Sequence, residues 1–493
     1  MESVSRIAKN SLAMMAAEII NKVLALILSI AIARWMGDVK FGQYAFIITL
    51  MMLFQIIADI GLDGLVTREV AKQKDRTLAY LSSALFLKFA LSVIAGTLLI
   101  CASCFINKPT DVFYGSCVAG ITLIFTASAN IFSAVLNAHE RLDIKAHLLV
   151  VSKVIVIFFS CLALYFNKNL ILLIGAIAIS ELIRAISGWA VCSKLYGKLL
   201  AKIDLSLCKK LFIKSIPFAL IGMMGLIYFK IDTVMLSLMI NDQVVGWYNA
   251  AYNLLSAIMF ISVSYTLAIF PSLSRSAEFS EDIFAFSWER SIKYLVLIGI
   301  PISAGTMVLS ERIIILFYSS GFKQSVIALQ IIIWALPWIF INSINMYVLY
   351  AAGKQAQVAV VVGISMAANI ILNLIVIPKA SYIGASAVTV LSEIINAILF
   401  LWVINKYLSL RTGIFKMVYK PALASMAMAI VLYCFRNSNL LLLITIGALI
   451  YITLIYMLKY LDEKDISIFS KIIKRTLPKE QPDGGFIDLD NKL

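Results

Sequence analysis

The sequence predicts an all-α polytopic membrane protein with about fourteen transmembrane helices, arranged as two six-helix lobes followed by two carboxyl-terminal helices. Three observations predict this fold class. Hydrophobic residues make up 62% of the 493 residues and charged residues only 14%, whereas about 25% charged is typical of soluble domains. Apolar runs of membrane-spanning length recur along the whole chain, and short motifs repeat between its two halves.

The boundaries of the apolar runs, at charged residues, glycine and proline, give the helices in order. A helix of about 20 residues crosses a hydrocarbon core of about 30 Å. The predicted spans lie near 11–33, 43–63, 81–106, 112–137, 147–166, 170–192, 211–240, 246–272, 292–310, 326–352, 357–377, 382–403, 418–435 and 440–459. Most of the 42 lysines and arginines then fall in loops on the side of the two termini, which predicts cytoplasmic termini.

Three stretches of the first half recur in the same order in the second half. The matching pairs are 42–44 (GQY) with 246–248 (GWY), 136–141 (LNAHER) with 349–354 (LYAAGK), and 179–183 (ISELI) with 391–395 (LSEII). They predict an amino-terminal lobe over 1–200, a second lobe over 201–410, two further helices over 411–461 and a cytoplasmic tail over 462–493. Two repeats with an even number of helices have the same topology, which is one arrangement that transporters use around a central site.

The first span carries charge inside the membrane. Glu18, Asn21 and Lys22 are spaced i, i+3 and i+4, and Ser29 lies on the same side of the helix. A charged side chain that faces lipid at the middle of a bilayer costs at least about 2.5 kcal/mol. The stripe is therefore expected to face protein or a water-filled cavity.

Other predicted spans also contain charged residues, and the cations suit an anionic substrate. Diphosphate oxygens accept several charge-assisted hydrogen bonds from lysine and arginine. The candidate substrate-cavity residues are Lys22, Lys230, Lys88, Lys153, Arg184 and Glu18. The alternative is that most of them form intramolecular ion pairs, with Glu18–Lys22 and Glu181–Arg184 as the pairs at helical spacing.

Two further features concern motion and polar packing. Pro217, Gly222 and Gly225 predict a bend in the seventh span, either a hinge of the second lobe or a static kink. Polar stripes at Asn253 in the eighth span and Asn373 in the eleventh suit sugar hydroxyls or hydrogen bonds between helices. The sequence shows no catalytic constellation and no metal-binding pattern, so neither is expected.

Two longer stretches carry a resemblance to a known family. RWMGDVKFGQYA at 34–45 and IPKASYIGASA at 377–387, together with the fourteen-helix layout, resemble the polysaccharide flippases of the MOP superfamily, in particular Wzx-like O-antigen repeat-unit translocases. The resemblance implies transfer of a polyprenyl-diphosphate-linked oligosaccharide from the inner to the outer leaflet of the cytoplasmic membrane. In related flippases charged residues of the first, seventh and eighth helices matter, which here implies Glu18, Lys22 and Lys230.

The resemblance also implies partners and an energy source. The carrier would be undecaprenyl diphosphate or a similar polyprenyl diphosphate, polysaccharide polymerases or glycosyltransferases would be neighbours in the membrane, and no nucleic acid or cofactor is expected. Coupling to H⁺ or Na⁺ at Glu18, Asp232 or Glu393, or to the membrane potential, stays open. A MATE-type exporter would share the architecture but should have a net acidic cavity. A membrane enzyme of glycan assembly would need a large catalytic outer loop, and the predicted loops are short.

Overall fold

The computed structural model describes residues 2–106, 108–166, 168–197, 203–410, 412–463 and 465, with side chains from residue 18 onward except those of 218 and 221. Over these residues all regular elements are helical, which confirms the predicted class. The α-helices are α1 Glu2–Asp59, α2 Leu62–Lys72, α3 Thr77–Phe105, α4 Thr110–Ala138, α5 Leu142–Phe166, α6 Leu170–Tyr196, α7 Leu205–Met239, α8 Asp242–Phe279, α9 Glu281–Tyr318, α10 Ser325–Ile332, α11 Ala335–Ala351, α12 Gln355–Leu408, α13 Ile414–Cys434 and α14 Leu440–Met457. The predicted tail lies outside the described residues, apart from 462, 463 and 465.

The helices α1 and α12 are too long to cross a membrane once. They contain 58 and 54 residues, and at about 1.5 Å per residue they would be about 87 and 81 Å long. The backbone leaves helical geometry at Gly37 (φ 79°, ψ 177°) in α1 and at Ser381 (φ 52°, ψ −139°) in α12. Each helix therefore consists of two spans, and both breaks lie between spans that the sequence predicts as separate.

The remaining spans follow the predicted order. The short helices α10 and α11 are bent by 42° at their junction and together match the tenth predicted span. Counting them as one span, and α1 and α12 as two spans each, gives fourteen crossings among the described helices. An even number of crossings puts both ends of the bundle on one side, which we call the terminus side, and the other is the opposite side.

One helix on the terminus side differs from the expectation. The second span was expected to continue to residue 63 but ends at Asp59, because Ile60 and Gly61 have positive φ angles of 45° and 71°. The chain then forms α2, whose Leu65 and Val66 are buried. Its apolar face packs on α4 and α7, so an amphipathic surface helix replaces the end of the predicted span.

The two copies of the repeated G-x-Y motif lie against each other on the opposite side. A Cβ atom at Gly42 would lie 1.7 Å from the carbonyl oxygen of Asp242, and a Cβ atom at Gly246 would lie 2.1 Å from the carbonyl oxygen of Asp38. Only glycine permits this approach. The Asp38 carboxylate also accepts hydrogen bonds of 2.8 Å from Gln243 Nε2 and Trp247 Nε1. This reciprocal contact joins α1 to α8, and we expect it to close the opposite side above the polar residues of the first span.

Candidate functional site

The polar stripe of the first span faces α8. Ser29 Oγ accepts a hydrogen bond of 2.8 Å from Asn253 Nδ2, and Lys22 Nζ lies 4.8 Å from the ring centroid of Phe260. The Lys22 side chain is exposed. The stripe therefore contacts protein along part of its length, as its cost in lipid requires.

A second lysine points at the same helix from α7. Lys230 Nζ lies 4.9 Å from the ring centroid of Tyr252, which precedes Phe260 by about 12 Å along α8. A cation over an aromatic face gains about 0.5–2 kcal/mol but keeps its charge. Within the part of the chain that the structure describes, neither Lys22 nor Lys230 forms an ion pair with an acidic side chain. Two cations without an ion-pair partner among the described residues therefore lie against α8, and Asp232 attracts one of them, Lys230.

Glu18 does not pair with Lys22, although helical spacing allows it. No ion pair between these two described residues is present, and Glu18 instead attracts Lys145 at the start of α5. Glu18 is half-buried. It therefore lies at the terminus-side edge of the charged region and leaves the Lys22 ammonium free.

Lys88 is paired rather than open to a cavity. Its side chain is fully buried, and Nζ lies 2.7 Å from Asp59 Oδ1 and 2.5 Å from Asp63 Oδ1. The prediction that Lys88 contacts substrate does not fit this geometry, because two carboxylates already bind its ammonium group. The triad joins α1, α2 and α3 and explains why α2 folds against the bundle.

The other cations of the first half also have acidic neighbours. Arg184 is 8% exposed, and its guanidinium bonds Glu181 Oε2 at 2.5 and 3.0 Å and Asn130 Oδ1 at 2.9 Å. This is the i, i+3 pair that the sequence offered as the alternative to a substrate site. Glu181 also attracts the half-buried Lys153. Arg184 thus forms an ion pair with an acid, whereas Lys153 is attracted by Glu181, and Lys230 by Asp232, at distances beyond an ion pair.

Asp232 occupies a buried polar cluster in the second half. Its carboxylate is 2% exposed and accepts hydrogen bonds from Tyr248 (2.8 Å), Asn373 (2.7 Å) and Thr389 (3.2 Å). The side-chain oxygen of Asn373 is buried without a hydrogen-bond partner. A carboxylate, a hydroxyl and an orphaned amide oxygen on three helices are ligands that suit a small cation. The polar stripe at Asn373 therefore belongs to this cluster.

Glu393, the third candidate for ion coupling, lies in another buried cluster. It is 2% exposed, Oε1 accepts a hydrogen bond of 3.0 Å from Tyr228, and Oε2 accepts one of 2.7 Å from Asn342. Asn342 on α11 was not singled out from the sequence. Glu393 and Asp232 are thus much more enclosed than Glu18.

The predicted hinge residues lie inside one continuous helix. α7 contains Pro217, and Cβ atoms at Gly222 and Gly225 would meet nothing within 4 Å. Close packing therefore does not require these glycines. Their remaining physical effect is to weaken the helix at this level, and the hinge stays a prediction.

An apolar groove runs between α9, α13 and α14. Its volume is about 1100 Å³, and its walls include Ile298, Gly305, Leu432 and Tyr451, with Lys459 at the terminus-side end. The sequence does not reveal this groove, because each of its walls has the composition of an ordinary lipid-facing helix surface. A groove of this composition accommodates a hydrocarbon chain.

Comparison with known proteins places these features in a family. Residues 7–277, more than half of the chain, match the sequence model of a family described as polysaccharide biosynthesis protein. The probable low-salt glycan biosynthesis flippase Agl15 of Haloferax volcanii is 25% identical over 447 residues, which cover 86% of this chain and 90% of that protein. An uncharacterized membrane protein of Methanocaldococcus jannaschii is 24% identical over 308 residues, 59% of each chain.

Solved structures share the fold at low identity. A lipid II flippase MurJ in an inward closed conformation matches with a TM-score of 0.73 and 19% identity, covering 94% of this chain and 99% of that one. An inward-facing multidrug resistance MATE transporter of the MOP superfamily matches with a TM-score of 0.62 and 11% identity, covering 80% and 96%. The MOP-like fold expected from the sequence is therefore confirmed, and the chain belongs to the polysaccharide biosynthesis protein family.

Proposed function

We propose that this protein is a flippase that moves a polyprenyl-diphosphate-linked oligosaccharide, such as an O-antigen or other surface polysaccharide repeat unit, from the cytoplasmic to the outer leaflet. One observation carries the proposal: Lys22 and Lys230 approach α8 from two helices and, among the described residues, neither forms an ion pair with an acidic side chain, although Asp232 attracts Lys230. The flippase relatives named above support the substrate class.

The two lysines suit a diphosphate. Each charge-assisted hydrogen bond to a phosphate oxygen contributes about 1.5–3 kcal/mol net, and two ammonium groups on opposite sides of the substrate can engage both phosphates. Lys22 belongs to the first repeat and Lys230 to the second. Any relative movement of α1 and α7 would therefore change the position of a diphosphate bound between the two lysines.

The lipid part of the substrate has a separate place. The apolar groove between α9, α13 and α14 accepts an isoprenoid chain along the membrane while the diphosphate lies among the lysines. The glycan then extends into the polar region beside Ser29 and Asn253. In this arrangement the protein encloses only the polar headgroup and leaves the tail at the lipid boundary.

The direction of transport follows from charge. We place the protein in the cytoplasmic (inner) membrane with both termini in the cytoplasm, because the basic loops lie on the terminus side. An inside-negative potential favours outward movement of an anion by about 2.3 kcal/mol per charge per 100 mV. Asp232 supplies a second route to coupling, since a cation bound in its cluster on the opposite side would be carried inward.

A MATE-type exporter is the second candidate, because MATE structures share the fold and Asp232 is a buried acid. Such an exporter binds organic cations, which two unpaired lysines would repel. Measurement of resistance to cationic drugs separates the two functions. Export of drugs with normal surface glycan would favour the exporter.

The proposal is tested by Lys22→Ala and Lys230→Ala in cells that depend on this protein for surface glycan. Each variant should lose surface polymer and accumulate the lipid-linked repeat unit on the cytoplasmic leaflet, at an unchanged protein level in the membrane. Lys323→Ala is the matched control, because the Lys323 side chain is 73% exposed and its one ion pair among the described residues is with Glu311. Normal polymer in both cavity variants would contradict the proposal.

A further inference from the structure

The environment of Glu393 contains hydrogen-bond donors but no cation. Tyr228 and Asn342 donate to its two carboxyl oxygens, and Asn342 Nδ2 also lies 2.9 Å from the Glu393 carbonyl oxygen. Among the described residues, no lysine or arginine forms an ion pair with Glu393. The carboxyl group is therefore enclosed by three helices, α7, α11 and α12, without charge compensation.

The titratable groups that face Glu393 do not compensate its charge. They are Tyr228 on α7 and Tyr252 on α8, while α11 presents the amide of Asn342. Asp232 acts on the same two tyrosines, and Lys230 lies over the Tyr252 ring rather than at Glu393. A buried carboxylate without a cation is costly inside a membrane. The protonated form of Glu393 suits this enclosure.

A hydrogen-bonded chain runs from Asp232 to the residue that precedes Glu393. Asn373 Nδ2 bonds Asp232 at 2.7 Å and the Asn369 side-chain oxygen at 3.2 Å, and Asn369 Nδ2 bonds Ser392 Oγ at 3.1 Å. Ser392 is the residue before Glu393. The chain runs within α12, from its first span to its second. A change of charge at Asp232 can therefore reach the helix segment that holds Glu393.

We propose that Glu393 is a proton-binding site, distinct from the oxygen cluster at Asp232, and that the two sites exchange charge during the cycle. In the enclosed conformation a proton is bonded to Glu393 Oε1, and this O–H donates to the Tyr228 hydroxyl, so the hydrogen bond at Oε1 is reversed. When α7 and α11 separate, that O–H bond breaks, the proton passes to water, and the carboxylate remains solvated. A cation at Asp232 removes negative charge from the surroundings that the two acids share and so favours release of this proton, which relates cation entry to proton exit.

The proton site itself does not depend on the proposed transport function, whereas its role in coupling rests on it. The test therefore uses only H⁺ and Na⁺ as probes, on the purified full-length protein in lipid nanodiscs. Infrared difference spectra across a pH titration record the C=O stretch of protonated carboxyl groups. A negative result in the glycan assay would not affect the conclusion from the titration. A negative result in the titration would not affect the conclusion from the glycan assay.

The expected result is one titrating carboxyl band that is lost in Glu393→Gln and retained in Asp232→Asn. Tyr228→Phe should shift the frequency of the same band, because it removes the hydroxyl that is hydrogen-bonded to Oε1, and this variant serves if Glu393→Gln fails to fold. A band that persists in Glu393→Gln, or that is unchanged in Tyr228→Phe, would overturn the assignment. If Na⁺ in place of choline removed the band at high pH and at low pH alike, Glu393 would be a sodium site instead of a proton site, and the assignment would again be overturned.

The coupling is tested in the same titration. Na⁺ in place of choline should move the Glu393 midpoint to lower pH by about one unit, the order of shift that one unit charge produces across about 10 Å of a medium with an effective dielectric constant of about 20. Asp232→Asn should abolish this shift, because it removes the charge that Na⁺ would compensate. A midpoint that does not respond to Na⁺ in the wild-type protein would refute the exchange between the two sites.

Discussion

The crossing of α1 and α8 at two glycines allows a direct test of how the opposite side is closed. In Gly42→Ala the new Cβ would lie 1.7 Å from the carbonyl oxygen of Asp242. Non-bonded heavy atoms reach their optimal separation near 3.5 Å, so the two helices must separate by more than about 1 Å. Overpacking of this kind costs about 1–3 kcal/mol. Because the cost falls only on the closed arrangement, it should shift the population toward an open opposite side by about 5- to 150-fold.

The assay is cysteine labelling from the opposite side. Ser256 lies one helical turn beyond Asn253 on α8 and is half-buried, so Ser256→Cys reports access to the region below the crossing. The background replaces the seven native cysteines, and a membrane-impermeant maleimide is added outside intact cells. Gly42→Ala should increase the labelling rate at least about fivefold.

Gly64→Ala is the matched control, since a Cβ at Gly64 on α2 would meet nothing within 4 Å. It should leave the labelling rate unchanged. An unchanged rate in Gly42→Ala, with the same Tm as the parent protein, would refute the conclusion that this crossing closes the opposite side.

Three further predictions concern stability and motion. Lys88→Met should lower the free energy of unfolding by about 3–5 kcal/mol, seen as a lower Tm in detergent, because Asp59 and Asp63 lose their buried cation. Replacement of Gly222 and Gly225 by alanine should preserve Tm and slow glycan export, since each glycine weakens the helix by about 1 kcal/mol and no neighbour obstructs a Cβ; unchanged export would argue for a static α7. Asp462→Asn should lower Tm at pH 7 but have less effect at pH 3. Burial raises the Asp462 pKa, but the Arg290 hydrogen bond and charge outweigh this effect and hold the pKa below its usual range. The stabilisation that ionised Asp462 contributes is therefore present above its ordinary pKa and is lost as pH falls through the lowered pKa. An equal effect at both values would contradict the last of these.

Much of the fold could be predicted because hydrophobic length is a strong signal in membrane proteins. Each of the fourteen expected spans corresponds to a helical segment, and the breaks at Gly37 and Ser381 fall where the sequence separates spans. The end of the second span was wrong, since hydropathy does not report the positive φ angles of Ile60 and Gly61. The repeat of G-x-Y indicated related halves, but only the structure reveals that Gly42 packs against the start of α8 and Gly246 against α1.

The candidate site was harder to predict, because a buried charge looks the same in sequence whether it is paired or free. Lys88 and Lys22 are both lysines inside apolar runs, yet Lys88 meets Asp59 and Asp63 from other helices while Lys22 meets an aromatic ring. Pairs within one helix, such as Glu181 with Arg184, follow from spacing. Pairs between helices cannot be predicted without the tertiary structure, and the same holds for the hydrogen bond from Asn342 to Glu393.

The central claim, that Lys22 and Lys230 form a diphosphate site, is tested most directly by ligand binding to the purified protein. Titration calorimetry with farnesyl diphosphate as a soluble probe, and with farnesol as the uncharged control, measures the contribution of the diphosphate. The double variant Lys22→Ala/Lys230→Ala should bind farnesyl diphosphate at least about tenfold more weakly than the wild type, since each lost charge-assisted bond costs about 1.5–3 kcal/mol. Lys323→Ala should bind like the wild type. Equal affinity of the double variant and the wild type for farnesyl diphosphate would contradict the claim.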